Sequence, residues 1–219
     1  MGVLLKLAAT AFLVLAGAPG SATPTAPAAT AGGADGSGIP PAVESEGLPP
    51  VASRGPRRTL VVGDSLAVGV EPYLGKDLPG WRITTSAFTS RPLADGVAEI
   101  TSTSRLPPVL VVSLGTNDDP SAVSTFSGAV ESVLRAAGPA GCVIWPNIVR
   151  PPYNGVSYAG YNRALARLAA ANPNLIVVDW AGMVARDPGM VAGDGVHATP
   201  SGYSARAAAI AQAVLSCAG

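Results

Sequence analysis

The sequence predicts an α/β protein built on a five-stranded parallel sheet with helices on both faces. Three observations predict it. Short β-branched runs alternate with helix-length segments over the last 160 or so residues. All but the second of these runs are almost wholly apolar, as strands buried on both faces must be. The chain is 48% hydrophobic, 13% charged and formally neutral, which gives one domain ample material for a core.

The strand candidates are 58–62, 82–86, 109–114, 143–148 and 175–179. Between them lie candidate helices at 66–74, 93–103, 122–137 and 158–171, with a last helix over about 201–215. Right-handed crossovers between parallel strands leave few topologies, of which a flavodoxin-like strand order is the choice here. No internal repeat is present. The segment 145–158, after the fourth strand, is a long Pro-rich connection holding Arg150, Tyr153 and Tyr158. Connections at this end of such a sheet form pocket rims. Arg150 is therefore placed either to meet an anionic group on a substrate or to stand in solvent, while Trp145 reads as core.

The first 56 residues are of another kind. Lys6 precedes an apolar run from Leu7 to Ala18, and Gly20, Ser21 and Ala22 follow it. This describes a secretory signal peptide over 1–22. The run falls short of the about 20 apolar residues that span a bilayer, so no stable membrane insertion is expected. Residues 23–56 are Ala, Pro, Gly, Thr and Ser with few large apolar side chains, and read as a disordered linker. The folded domain is expected over 57–219. Export makes a single Cys142–Cys217 disulfide the expected state of the two cysteines. The protein is accordingly expected outside the cell or at its wall.

Charge excludes some partners. With 14 positive and 14 negative side chains there is no basic excess to attract nucleic acid. With one histidine, a metal centre would need carboxylate ligands, and no credible cluster is present. No Gly-rich phosphate loop of known form occurs, so no nucleotide cofactor is implied.

Open α/β sheets carry their sites beyond the carboxyl ends of the strands. Past the first run come Gly63, Asp64 and Ser65; past the second, Thr89, Ser90 and Arg91; past the third, Gly115, Thr116, Asn117 and Asp118. Past the fifth, after a short connection, come Asp194 and His197. His197, the sole histidine, is the only candidate base for a serine nucleophile. An Asp three residues before it can fold back to Nδ1 and leave Nε2 facing the serine. Ser65 opens a helix, where free amides favour developing negative charge. Asp64 reads as structural, hydrogen-bonding amides of its own turn. Asn117 can offer a side-chain N–H to an oxyanion, and the amides of Ser65 and Ser90 can offer two more.

The blocks Gly63-Asp64-Ser65-Leu66, Gly115-Thr116-Asn117-Asp118 and Asp194-Gly195-Val196-His197 stand in an order and spacing that resemble the SGNH, or GDSL, hydrolases. The resemblance covers about 57–219. It implies a three-layer fold, Ser65 as nucleophile, His197 as base, Asp194 as orienting acid, and an oxyanion hole from Ser65, Ser90 and Asn117. It implies a serine esterase acting through an acyl-enzyme, without a cofactor, on a small-molecule or glycan ester. The absence of a long apolar lid segment points to a short acyl group. Where the family carries a glycine in its second block, this chain carries Ser90. If that position needs a positive φ, serine adds strain of about 1 kcal/mol. The stretch Val177-Val178-Asp179-Trp180 ahead of Asp-Gly-Val-His is also similar to the soluble domains of peptidoglycan O-acetyltransferases. Transfer or removal of an acyl group on a wall polysaccharide is thus a second expectation, and wall binding by a weakened enzyme a third. Asp179 is a chemical rival to Asp194 as the acid.

Overall fold

A computed structural model describes residues 57–217. The expected signal peptide and linker lie outside the described residues. Five strands, β1 (Arg58–Gly63), β2 (Arg82–Ala87), β3 (Val109–Ser113), β4 (Cys142–Pro146) and β5 (Leu175–Val178), form one sheet. Its order is β2-β1-β3-β4-β5, and every pairing is parallel. This is the expected flavodoxin-like order. Among the described residues six α-helices accompany the strands: α1 (Ser65–Asp77), α2 (Leu93–Ser102), α3 (Val123–Ala137), α4 (Ala159–Ala171), α5 (Trp180–Arg186) and α6 (Pro200–Ser216). No described helix is long and apolar enough to cross a membrane.

Strand alternation divides the core. Val62, Leu110, Val112, Val143 and Trp145 point to one face and meet Ile100, Phe126, Val130 and Leu165 of α2, α3 and α4. Val61, Val109, Val111 and Ile144 point to the other and meet Val70, Leu74, Ile210 and Val214 of α1 and α6. β3 is buried at every position, and β2, the polar edge strand, at none. Trp145 is in the core as expected. Its indole N–H donates to the Leu114 carbonyl.

The expected elements change at three places. β4 ends at Pro146, because the Ile148 backbone pairs with the side-chain amide of Asn162 in both directions, at 2.8 Å each. β5 ends at Val178, because Asp179 caps a helix the sequence reading did not include. The connection to Asp194 is therefore not short: it holds α5 and a 3₁₀ turn at Pro188–Met190. Cys142, opening β4, and Cys217, closing α6, form a disulfide with Cα atoms 6.0 Å apart. It closes a loop of 75 residues, a constraint on the unfolded chain of about 4 kcal/mol in the loop-entropy account.

Candidate active site

β1 delivers its carboxyl end to a tight turn. The Asp64 amide donates to the Ser113 carbonyl at 3.0 Å, and its Oδ1 accepts from the Leu66 amide at 2.9 Å, capping α1. Ser65 becomes the first residue of that helix. Its amide donates to no other described group. Asp64 is fully buried, and burial raises its carboxyl above the usual range; the Leu66 amide and the charge of Arg206 pull the other way. Arg206 is itself buried, donates to Ser113 Oγ at 3.2 Å and lies over the Trp180 ring. Burial brings its pKa down to about 10, against the opposing pull of Asp64. A buried carboxylate and a buried guanidinium thus underlie the turn that carries Ser65, and Asp64 is structural as expected.

His197 arrives from the far end of the sheet. The loop 191–198 closes on itself: the Ala192 amide donates to the His197 carbonyl at 2.7 Å, and Val191 bridges Ala198. Gly195 adopts φ 71°, and a Cβ there would press on Pro151 at 2.8 Å, so the turn needs glycine on both counts. Thr199 then caps α6 and Pro200 opens it. Within the loop, Asp194 Oδ1 accepts from the Val196 and His197 amides at 2.9 and 3.0 Å, while Oδ2 lies 2.6 Å from His197 Nδ1. The imidazole bond and these two amides bring the Asp194 pKa down to about 2. An ionised carboxylate only accepts, so Nδ1 carries the hydrogen. In the neutral ring Nε2 is then the acceptor, and it faces Ser65 Oγ at 3.0 Å.

The structure thus brings Ser65, His197 and Asp194 into one hydrogen-bonded chain across 132 residues of sequence. Asp179 does not join it. Its carboxylate caps α5 through the Gly182 amide and accepts from Asn147, which holds it below the usual carboxylate range.

The second and third loops close the other side. The Phe88 amide donates to the Gly63 carbonyl at 3.3 Å, setting the second loop beside the first. Ser90 has φ 59°, the left-handed conformation that glycine adopts freely. Its amide, like that of Ser65, donates to no other described group. What holds the loop is the next residue. Arg91 is buried, ion-pairs with Glu99, donates to the Ser86 carbonyl at 2.9 Å and stacks on Phe88. Its carbonyl accepts from Asn117 Nδ2 at 3.3 Å. Pro92 has no side-chain acceptor to cap α2, and Asp118 does so from the third loop, accepting from the Leu93 amide at 3.0 Å.

Arg150 is half-buried and engages the third loop through one of its guanidinium nitrogens. Its guanidinium donates to the Thr116 carbonyl at 2.5 Å and to Asn117 Oδ1 at 3.3 Å. Tyr158 is buried rather than on the rim, and its one hydroxyl hydrogen is shared between the Asp118 and Thr116 carbonyls at 2.9 and 3.2 Å. Tyr153 is half exposed beside a two-residue turn in which Asn154 and Gly155 both have positive φ. Sequence reasoning missed the roles of Arg91, Arg150 and Arg206. For Arg206 a signal existed, since it falls on the buried i, i+4 line Gly202–Arg206–Ile210–Val214 of α6. For Arg91 and Arg150 the partners are distant in sequence.

No protein-family model matches the chain. Over 151 residues it is 28% identical to the peptidoglycan O-acetyltransferase OatA of Listeria monocytogenes; the match covers 68% of this chain and 22% of that protein. The chain therefore spans about a fifth of that relative's length. Among solved structures it is similar to the C-terminal catalytic domain of OatA from Streptococcus pneumoniae, determined with a methylsulfonyl adduct. That likeness has a TM-score of 0.58 at 23% identity, over 74% of this chain and 92% of the other. A lipase/acylhydrolase from Enterococcus faecalis gives a TM-score of 0.57 at 21% identity, over 71% and 94%. A member of the lipolytic G-D-S-L family from Veillonella parvula gives 0.56 at 18%, over 70% and 94%. A five-stranded parallel sheet in this order, with these neighbours, gives the chain the SGNH/GDSL hydrolase fold, and it resembles both the catalytic domain of OatA and the GDSL lipases.

Proposed function

We propose that the protein is a secreted serine esterase that cleaves short-chain carboxylic esters through an acyl-enzyme on Ser65. The observation that carries this reading is the continuous chain from Asp194 through His197 to Ser65 Oγ, with bonds of 2.6 and 3.0 Å. Ser65 Oγ attacks the ester carbonyl while His197 Nε2 accepts its proton. Asp194 fixes the tautomer and steadies the imidazolium. The amides of Ser65 and Ser90 and the Asn117 side chain take the developing oxyanion. Collapse of the tetrahedral species breaks the ester C–O bond, and His197 returns its proton to the leaving alkoxide. Water, activated by the same histidine, then releases the acid. No step needs a metal or cofactor. The N-terminal signal-like segment and the Cys142–Cys217 bridge support export.

A second reading, acyl transfer to or from a wall polysaccharide, rests on the 28% identity to a peptidoglycan O-acetyltransferase. The openness of the site favours it: the His197 and Asp194 side chains are 47% and 49% exposed. Half-exposed Phe88 and Tyr153 offer aromatic faces to a sugar ring. Wall binding without catalysis has little support, because the triad geometry is complete.

The test is the domain beside its Ser65→Ala variant, with a fluorophosphonate probe and an aryl acetate. Labelling and turnover should both vanish in the variant while thermal melting is kept. A folded wild-type domain that neither labels nor turns over would refute the esterase reading. Products analysed with and without a glycan acceptor separate transfer from hydrolysis: acetylated glycan marks transfer, and free acetate alone at high acceptor marks hydrolysis.

A further inference from the structure

The geometry points to Arg150 as a positioning residue of the oxyanion hole: it fixes the Asn117 side-chain amide with its N–H groups toward the hole and strengthens them as donors. The inference rests on the reading of Ser65 and Asn117 given above.

An asparagine side chain presents an acceptor at one end and a donor at the other, and a half-turn exchanges them. In the wrong orientation Asn117 would aim its oxygen at a developing oxyanion and repel it. Asn117 is exposed, so packing alone does not choose. Two bonds do. Arg150 has only donors, and its Nη1 meets Oδ1 at 3.3 Å. The Arg91 carbonyl has only lone pairs, and it meets Nδ2 at 3.3 Å. Each bond admits one orientation of the amide, and the two agree. One Nδ2 hydrogen is used by Arg91, which leaves the second for substrate.

Both bonds are long, so the stronger anchor of Arg150 matters. The same Nη1 donates to the Thr116 carbonyl at 2.5 Å, which seats the guanidinium against the backbone next to Asn117. A cation on an amide oxygen also draws electron density from its nitrogen, making the N–H groups better donors. Arg150 therefore acts through Asn117, with no contact to the reacting atoms. The Tyr158 hydroxyl shares its one hydrogen between the Asp118 and Thr116 carbonyls at 2.9 and 3.2 Å, so losing Arg150 should leave the loop in place. The Pro-rich connection thus serves the hole through Arg150.

The test is a double-mutant cycle of Arg150→Met and Asn117→Ala, followed by aryl acetate kinetics at single-turnover sensitivity, with Arg150→Lys as the conservative variant. Removing an oxyanion donor typically costs about 10²–10³ in rate; Arg150→Met should incur part of that cost, lowering kcat about ten-fold with KM nearly unchanged. In the Asn117→Ala background the same change should cost less than about two-fold, because its effect passes through the missing amide. Arg150→Lys should restore part of the rate. An equal loss in both backgrounds, or a raised KM with kcat intact, overturns the inference and makes Arg150 a direct electrostatic or substrate contact. An independent readout is the Asn117 side-chain ¹⁵N–¹H pair, assigned by its absence in Asn117→Ala. It should be two sharp resonances in wild type and broadened or shifted in Arg150→Met, and an unchanged pair overturns the inference whatever the kinetics. If Asn117→Ala alone leaves the rate unaltered, the oxyanion reading itself fails, and that outcome is distinct from any result at Arg150.

Discussion

Replacing Asp194 by asparagine changes one atom and should reverse the histidine. In the native loop Asp194 Oδ1 is held by two amides, those of Val196 and His197, at 2.9 and 3.0 Å. An asparagine can satisfy both only with its oxygen in that place. Its NH₂ group must then occupy the position of Oδ2, 2.6 Å from Nδ1. Two donors cannot share that contact, so Nδ1 must become the acceptor and the ring hydrogen moves to Nε2. There it points at Ser65 Oγ, 3.0 Å away, and the base is lost. In a buried serine–histidine–aspartate triad this substitution lowers kcat about 10⁴-fold. Here the His197 and Asp194 side chains are about half exposed, and water competing for Nδ1 softens the effect. The expected loss is about 10³–10⁴-fold in kcat, or about 4–5.5 kcal/mol of barrier. KM for an aryl acetate should change little, and thermal melting should be kept because both amide bonds survive. The assay is steady-state hydrolysis across pH. Since the Asp194 pKa lies near 2, the wild-type carboxylate stays ionised through the working range, and its protonation does not set the acid limb of the rate. A variant retaining more than a tenth of wild-type kcat would refute the tautomer argument and leave Asp194 as a loop cap.

Two further outcomes follow from the turns around the site. Ser90→Gly, at φ 59°, should raise stability by no more than about 1 kcal/mol and change kcat less than about three-fold, since the backbone N–H is retained; a ten-fold fall in kcat would assign the Ser90 hydroxyl a part in the reaction. Arg206→Met removes the buried cation whose charge favours the ionised Asp64 carboxyl and which donates to Ser113 Oγ, and should cost about 2 kcal/mol at pH 7, lowering Tm by roughly 4–8 °C. The Asp64 carboxyl is already raised above its unfolded value, and loss of Arg206 raises it further. The folded variant then takes up a proton before the unfolded chain does, so the deficit should shrink as pH falls toward about 4. Melting at pH 7 and pH 5 checks this, and an equal deficit at both would show that packing on Trp180 matters instead.

The strands, their parallel sense and the face that carries the site follow from local pattern, because an apolar run long enough to be buried on both sides has few other places to go. The three short blocks were legible for the same reason: each stands directly after a strand or before a helix, so its position on the sheet edge comes with the element. Asp194 and His197 are three residues apart, and their turn is written locally in Gly195. Less visible were α5 and its cap at Asp179, which a short segment of mixed polarity does not announce. What the tertiary structure alone decided is which distant groups hold these blocks in register. That Nε2 of His197 reaches Ser65 depends on β1 and the loop before α6 meeting at one edge of the sheet. That Arg91 anchors the Ser90 turn, that Asp118 caps α2, that Arg206 donates to Ser113 and that Arg150 meets Asn117 are all contacts between segments with no periodic relation. Hydrophobic pattern and turn chemistry act over a few residues and leave their mark in sequence; hydrogen bonds between loops depend on distances that exist only once the sheet has formed.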